Sequence, residues 1–276
     1  MFNFVANIFG YLLNFVYNIV NNYGLSIIIF TVLIKIILLP ISIKQQKTMK
    51  KSAKMQIELK QIQEKYKNDQ ERANKEMMSL YKKNNMSPFS GCLSSIIQII
   101  LLLSVFYLVR SPLTYMKKVD LELIDKYKDE LSVKSNYPEV QVIKEKGQDD
   151  ERVYINMNFL GLDLSSVPSS NYKDYKVFVI PVLYVISSIV SMKLTLNMQG
   201  GKKKKHDKEE NESKEETEAM PDMTKTMSYM MPIMAVSISL VAPLGLALYW
   251  LVNNILMIGE RIVLERFIKD DEEEVA

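Results

Sequence analysis

Lys35 is the one charged residue between Leu25 and Ile43, in a run otherwise made of apolar side chains, Ser, Thr and Pro. An ammonium held at mid-segment in hydrocarbon costs a few kcal/mol even on the lenient insertion scale, and a lysine stem snorkels to the interface only from nearer a helix end. Something in the chain must solvate it. The interiors of the apolar runs hold no Asp or Glu, and Glu260, the nearest carboxylate, stands beside Arg261 at the end of the last run. Neutral polar groups are present instead: Ser94, Ser95, Gln98 and Ser104 in one run, Ser187, Ser188 and Ser191 in another, Ser237 and Ser239 in a third, Asn253 and Asn254 in the last. A single serine in such a helix ordinarily serves close packing. Gln98 and the asparagines ask for more, because an amide in lipid needs partners. The expectation is a shared, hydrated cavity in which an ammonium without a fixed counter-ion makes transient contact with acidic or polar chain. A proton relay fits less well, since it needs titratable groups across the whole membrane.

Two other chemistries compete. A desolvated, neutral Lys35 could act as base toward Ser94 or Ser95 in an intramembrane Ser/Lys hydrolase. A small transporter or channel is the other alternative, weakened by the lack of an internal repeat or a pair of half-helices. The single cysteine, Cys92, forms no internal disulfide and reads as a small packed residue. The single histidine, His206, stands in a charged stretch without ligand neighbours. No metal and no cofactor is expected.

The elements that must position these groups follow from charge segregation. Of 276 residues 48% are hydrophobic and 24% charged, yet the first 34 carry no charged side chain and 202–218 is almost wholly Lys, Glu, Asp, Asn and Ser. Runs of about 17 to 25 apolar residues match a hydrocarbon core. They predict an all-α polytopic membrane protein with five transmembrane helices around a hydrophilic groove: 23–43, 90–110, 177–196, 227–242 and 244–263. Pro243 leaves room for a tight turn between the last two.

Loop charge sets the expected topology. Residues 44–88 carry twelve Lys or Arg against five Asp or Glu, which places this stretch in the cytoplasm. Met55, Leu59, Ile62 and Tyr66, then Ala73, Met77, Leu80 and Tyr81, recur at helical spacing around a "KND" turn and predict a cytoplasmic hairpin of two short helices. The mildly acidic 111–176 falls outside, 197–226 is a disordered cytoplasmic linker, and 264–276 is an acidic cytoplasmic tail. The N-terminus is then outside. Residues 1–22, without a basic n-region or a lipobox cysteine, place Asn3, Asn7, Asn14 and Asn18 on one helical face and predict an amphipathic helix at the outer interface, with a sixth crossing as the alternative. The stretch 139–157, two β-prone runs around a Gly-containing turn, predicts a small β-hairpin in the outer loop.

Several motifs, in order, resemble the YidC/Oxa/Alb membrane protein insertases in their five-span, Gram-positive form. "YGLSIIIFTVLIKIILLPISIKQQKTMKKSAKMQ" looks like the first core span and the start of the cytoplasmic hairpin, "GCLSSIIQIILLLSVFYLVR" like the second span, "NFLGLDLSS" like the outer segment before the third, and "MMPIMAVSISLVAPLGLALYWLVNNILMI" like the terminal pair. The resemblance implies a cofactor-free, ATP-independent insertase or chaperone in a bacterial plasma membrane, and not an enzyme. Its groove would open to the cytosol and the inner leaflet. By position Lys35 would be the groove cation, Gln98 a lining residue, and Tyr249 with Trp250 the aromatic pair of the last span; Ser94, Ser95, Ser191 and Asn253 complete the expected polar lining. Implied partners are nascent transmembrane segments and membrane lipid, with the ribosome and a general secretion channel as further candidates and no small-molecule substrate. The chain departs from the family in having Lys35 where Arg is usual, Ser94 where Pro follows the "GC" motif, Ser191 and Met192 before Lys193, an outer loop longer by about 117–155, and an acidic tail "KDDEEEVA" where a basic extension would dock a ribosome.

Overall fold

The computed structural model describes residues 2–87, 90–133, 135–199 and 237–273; within them the side chains of 53, 54, 56, 57, 90–98, 195–199 and 266–273 lie outside the described set. The helices are α1 (Phe2–Val20), α2 (Tyr23–Lys65), α3 (Gln70–Lys83), α4 (Ser90–Arg110), α5 (Leu121–Glu130), α6 (Pro138–Lys146), α7 (Val179–Gln199) and α8 (Leu244–Glu273). Among the described residues four stretches are long and apolar enough to cross a membrane: Phe2–Val20, Tyr23–Ser52, Tyr175–Leu194 and Leu244–Glu265; Ile99–Arg110 in α4 is a shorter apolar helix. The chain is an all-α polytopic membrane protein. Of the run 227–242, only 237–242 lies within the described residues, the first five of them helical.

Two asparagines separate α1 from α2. Asn21 takes a left-handed conformation (φ 48°), which Asn tolerates better than most residues, and the Asn22 Oδ1 accepts from the Leu25 N–H at 3.0 Å as the cap of α2. α2 then runs for 43 residues, about 64 Å, twice the thickness of a hydrocarbon core. The span and the first arm of the basic hairpin are therefore one helix, where the sequence suggested two. Loss of hydropathy after Ile43 changes the solvent that the helix meets, but it removes no backbone hydrogen bond. After a turn at 66–69, with Asp69 capping through the Arg72 N–H at 3.0 Å, α3 folds back and the Gln63 amide meets Met77 Sδ at 3.7 Å.

α1 buries Ala6, Phe9, Leu13, Val16 and Tyr17 and exposes Phe4, Ile8, Tyr11, Phe15 and Ile19 on its other face. It packs along α4, α2 and a π-helical turn, Leu113–Lys117. The fit is close: a Cβ on Gly10 would stand 1.9 Å from the Tyr115 carbonyl oxygen. α7 packs along α8, and α2 along the same helix on another side.

The expected β-hairpin at 139–157 is not formed. Residues 138–146 are helical, with Pro138 at the first position, Glu139 in the first turn and Lys144 and Lys146 in the last, each suited to the end it occupies. Val140, Val142 and Ile143 are buried, and over nine residues their spacing fits a helix face as well as a strand. Burial against the core decided the matter. The β-structure lies further on, a two-residue antiparallel ladder pairing Asn158–Phe159 with Leu162–Asp163, closed by Leu160 (φ 51°) and Gly161 (φ 79°), the paired positive φ of a type I′ turn.

One end of the helix bundle is tied together by the segment 156–169. Tyr23 N–H donates to the Asn156 carbonyl at 3.0 Å, and the Asn22 amide to the Asn158 carbonyl at 2.7 Å. The Asn156 N–H reaches the Tyr17 hydroxyl at 2.8 Å, and its side-chain amide the Asn21 carbonyl at 3.0 Å. On the far side the N–H groups of Leu244 and Gly245, left without partners at the start of α8, donate to the carbonyls of Ser166 and Leu164 at 2.9 and 3.0 Å. The C-terminal end of α1 and the N-termini of α2 and α8 are joined at this end.

Candidate functional site

From Tyr23, the start of α2, Lys44 lies about 31 Å along the axis and Lys35 about 18 Å, so the lysine sits past the middle of a span-length stretch, on the side toward the basic hairpin. α8 starts at the same end of the bundle and runs in the same direction, which brings Glu260 to a comparable depth, about 24 Å from Leu244. The side chain of a helical residue leans toward its own N-terminus, so Glu260 leans toward the level of Lys35.

Lys35 consequently has a carboxylate partner, contrary to the sequence expectation. Its Nζ donates to Glu260 Oε2 at 3.2 Å, with the two side chains only 22% and 15% exposed. The sequence reading set Glu260 aside because Arg261 follows it. Consecutive helical residues point about 100° apart and do not face each other. The two charges go to different helices: Glu260 to Lys35 on α2, and Arg261 to the Ser191 carbonyl on α7, where its Nη1 donates at 3.5 Å.

Two cavities meet at Lys35. The larger, about 530 Å³, is a cleft between α2 and α8, apolar apart from Lys35, Lys47 and Glu260 and walled by Ile36, Leu39, Ile43, Leu256, Val263 and Leu264. The smaller, about 50 Å³, lies among α1, α2, α4 and α8 and is the more polar of the two, with Thr31, Lys35, Ser42, Gln45, Tyr249 and Asn253 lining it together with Phe9, Ile34, Leu38, Ile41 and Leu101. Lys35 lines both, whereas Glu260 lines only the apolar cleft. Lysine and carboxylate thus stand at the boundary between a space of mixed, partly polar lining and an apolar one.

Among the residues singled out from sequence, Lys35, Tyr249 and Asn253 come together around the small cavity. Trp250 points elsewhere, against the Tyr184 ring of α7 with centroids 5.8 Å apart. Ser191 is buried on α7 and lines neither cavity. Asn254, one position beyond Asn253 and so turned by about 100°, is taken up in packing: its amide donates to Ser187 Oγ at 3.2 Å and Ser188 Oγ at 3.0 Å, joining α8 to α7. Ser104 is buried and donates back to the Ile100 carbonyl at 2.7 Å. The side chains of Ser94, Ser95, Gln98 and Cys92 lie outside the described residues, as do the linker with His206 and most of 227–242.

Sequence reasoning passed over the polar stripe of α2 itself. Thr31, Lys35, Ser42 and Gln45 are spaced by four, seven and three residues, one face of a helix, and that spacing is visible in the sequence. Thr31 is buried and its hydroxyl donates to the Ile27 carbonyl at 2.6 Å.

The comparisons with known proteins bear on the whole of this arrangement. The family model described as "60Kd inner membrane protein" matches residues 15–272. A protein named membrane protein insertase YidC from Fusobacterium nucleatum subsp. nucleatum is 42% identical over 111 residues, 40% of this chain and 54% of that protein. A protein of the same name from Francisella tularensis subsp. novicida is 27% identical over 266 residues, 96% of this chain and 36% of that protein. The chain therefore spans about half of the first relative's length and about a third of the second's. Because the match runs through α2, the stitched loop, α7 and α8, this chain belongs to the 60Kd inner membrane protein family, the family toward which the order of its YidC/Oxa/Alb-like motifs pointed.

Proposed function

We propose that this chain is a membrane protein insertase or chaperone. It offers a nascent transmembrane segment a path from a polar cavity at Lys35 into lipid, without ATP and without a cofactor. The observation that carries the reading is the position of Lys35: an ammonium at mid-membrane depth that lines both a polar cavity and an apolar cleft open along α2 and α8. A segment being inserted presents the same two surfaces, a polar flank that resists lipid and an apolar stretch that prefers it. A site with both lowers the barrier to crossing by giving the flank a partner at the depth where lipid gives none.

Orientation follows from charge. The α2–α3 hairpin with its twelve basic residues lies in the cytoplasm, and the stitched end with the loop 111–176 lies outside, so the N-terminus is external and the C-terminus cytoplasmic. The bonds from 156–169 to α1, α2 and α8 then close the external end. α1 lies with its Phe4, Ile8, Tyr11, Phe15 and Ile19 face toward lipid. Ribosome and secretion channel are candidate partners at the cytoplasmic side and in the bilayer.

The test is substitution at Lys35, with insertion of a short single-span protein into proteoliposomes as the readout. Lys35→Arg, which keeps the cation but stays protonated and so removes any practical general base, retains most activity. Lys35→Ala and Lys35→Glu lose at least about tenfold, the factor of roughly 1.4 kcal/mol, less than the full insertion cost of a charge left without a partner. An inactive, normally expressed Arg variant would contradict the groove-cation role and favour base catalysis by lysine.

A further inference from the structure

We propose that Glu260 occupies, in the resting protein, the place that a substrate carboxylate takes during insertion, and that it thereby sets which polar flanks the groove accepts. The inference rests on the insertase reading and extends it to selectivity. The ammonium of Lys35 is the cation at the meeting point of the polar cavity and the apolar cleft, and among the described residues its one partner is Glu260 Oε2, at 3.2 Å. The bond crosses from α2 to α8. While it stands, the lysine is neutralised from the apolar side and faces a segment in the polar cavity with its charge already compensated. A neutral flank has no means of competing for it. An acidic flank does, because a carboxylate arriving from the polar side exchanges one charge-assisted bond for another, and Glu260 turns toward the C-terminal end of α8, where water is nearer.

Exchange also has a geometric consequence. Lys35 lines both spaces but Glu260 only the cleft, so breaking the pair frees the lysine stem to move toward the polar cavity and removes the tie between α2 and α8 across the cleft. Capture of the flank and opening toward lipid become one event. Glu260 is in this sense a specificity-determining residue, whose effect is read as a ratio between substrates and not as a loss of insertion.

The experiment uses the full chain in vesicles of phosphatidylethanolamine and phosphatidylglycerol, with two single-span substrates that differ only in carrying two Asp or two Asn in the translocated flank. For Glu260→Gln the ratio of acidic-flank to neutral-flank insertion rises by about threefold or more, because the acidic flank no longer competes with a resident carboxylate. An unchanged or lowered ratio, with expression equal to that of the parent, overturns the proposal. The double variant Lys35→Glu with Glu260→Lys restores the pair with reversed polarity; it accumulates normally and prefers a substrate with two Lys in the flank, while a retained preference for Asp overturns the proposal even if Glu260→Gln fails to accumulate. Failure of the parent protein to insert either substrate would instead contradict the insertase reading itself, which keeps the two outcomes apart.

Discussion

At the scale of single residues, the same physics governs charges on both sides of the molecule: a buried charge keeps its place through directed partners. Glu260 has Lys35, and Arg261 has a carbonyl on a different helix, because adjacent positions on α8 diverge. In the loop 111–176, Glu139 is only 3% exposed, and its carboxylate accepts from the Thr114 N–H at 3.0 Å and the Thr114 hydroxyl at 2.6 Å, holding α6 to the π-helical turn. Burial pushes the Glu139 carboxyl above the ordinary carboxylate range, and the two Thr114 bonds only partly oppose that. The folded state therefore binds this proton more tightly than the unfolded chain. Its contribution to stability is full below the ordinary Glu value of about 4 and is lost as pH rises through the raised folded value. Glu139→Gln keeps an acceptor and removes the titration, so the difference in thermal midpoint between variant and parent, measured in detergent, grows in the variant's favour from about pH 4 toward neutrality. Glu139→Ala leaves Thr114 without its acceptor and costs about 1–3 kcal/mol at low pH, a cost that shrinks as pH rises through the raised Glu139 value. A pH-independent difference for the Gln variant would refute the account of this carboxyl.

At the scale of elements, the apolar runs were legible because a helix in lipid must carry its own hydrogen bonds and a long uncharged sequence has no other stable form there. The length of α2 was not, since the end of hydropathy at Ile43 marks a change of solvent and no helix terminus. Residues 138–146 were misread for a different reason. Val140 and Val142 alternate like a strand, but the pattern is too short to separate periods of 2 and 3.6, and burial of Ile143 with both valines in the core settled it. The contact of α1 with the π-helical turn rests on the absence of one side chain. At Gly10 an added Cβ meets backbone, the Tyr115 carbonyl at 1.9 Å, which a rotamer change cannot relieve. Gly10→Ala should thus separate α1 from Leu113–Lys117 and lower the thermal midpoint, by the 1–3 kcal/mol typical of overpacking or about that, although alanine is the better helix former by up to about 1 kcal/mol. A variant as stable as the parent would mean that α1 is not held against that turn.

At the scale of the whole molecule, the bundle is asymmetric along its axis. One end is closed by backbone and side-chain hydrogen bonds from 156–169 to three helices, and the other extends α2 into a long basic arm past a cleft of about 530 Å³. The lysine that opens the sequence to interpretation lies between them. Its identity as the central polar group was readable from the one charge in an uncharged run, and Tyr249 and Asn253 fell beside it. Its partner was not readable, because pairing Lys35 with Glu260 depends on the shared starting level and common direction of α2 and α8, a property of the assembled bundle. The central claim is that a segment in transit meets Lys35. Photo-crosslinking tests it directly: a photoreactive amino acid is placed at 35 or, as a lipid-facing control, at Ile37, which is 62% exposed on the same helix. Nascent single-span chains stalled during synthesis are then presented to membranes holding each variant. The account predicts adducts from position 35 that shift along the nascent chain as it lengthens and few from position 37; adducts from 37 alone, or equal yields from both, would contradict it.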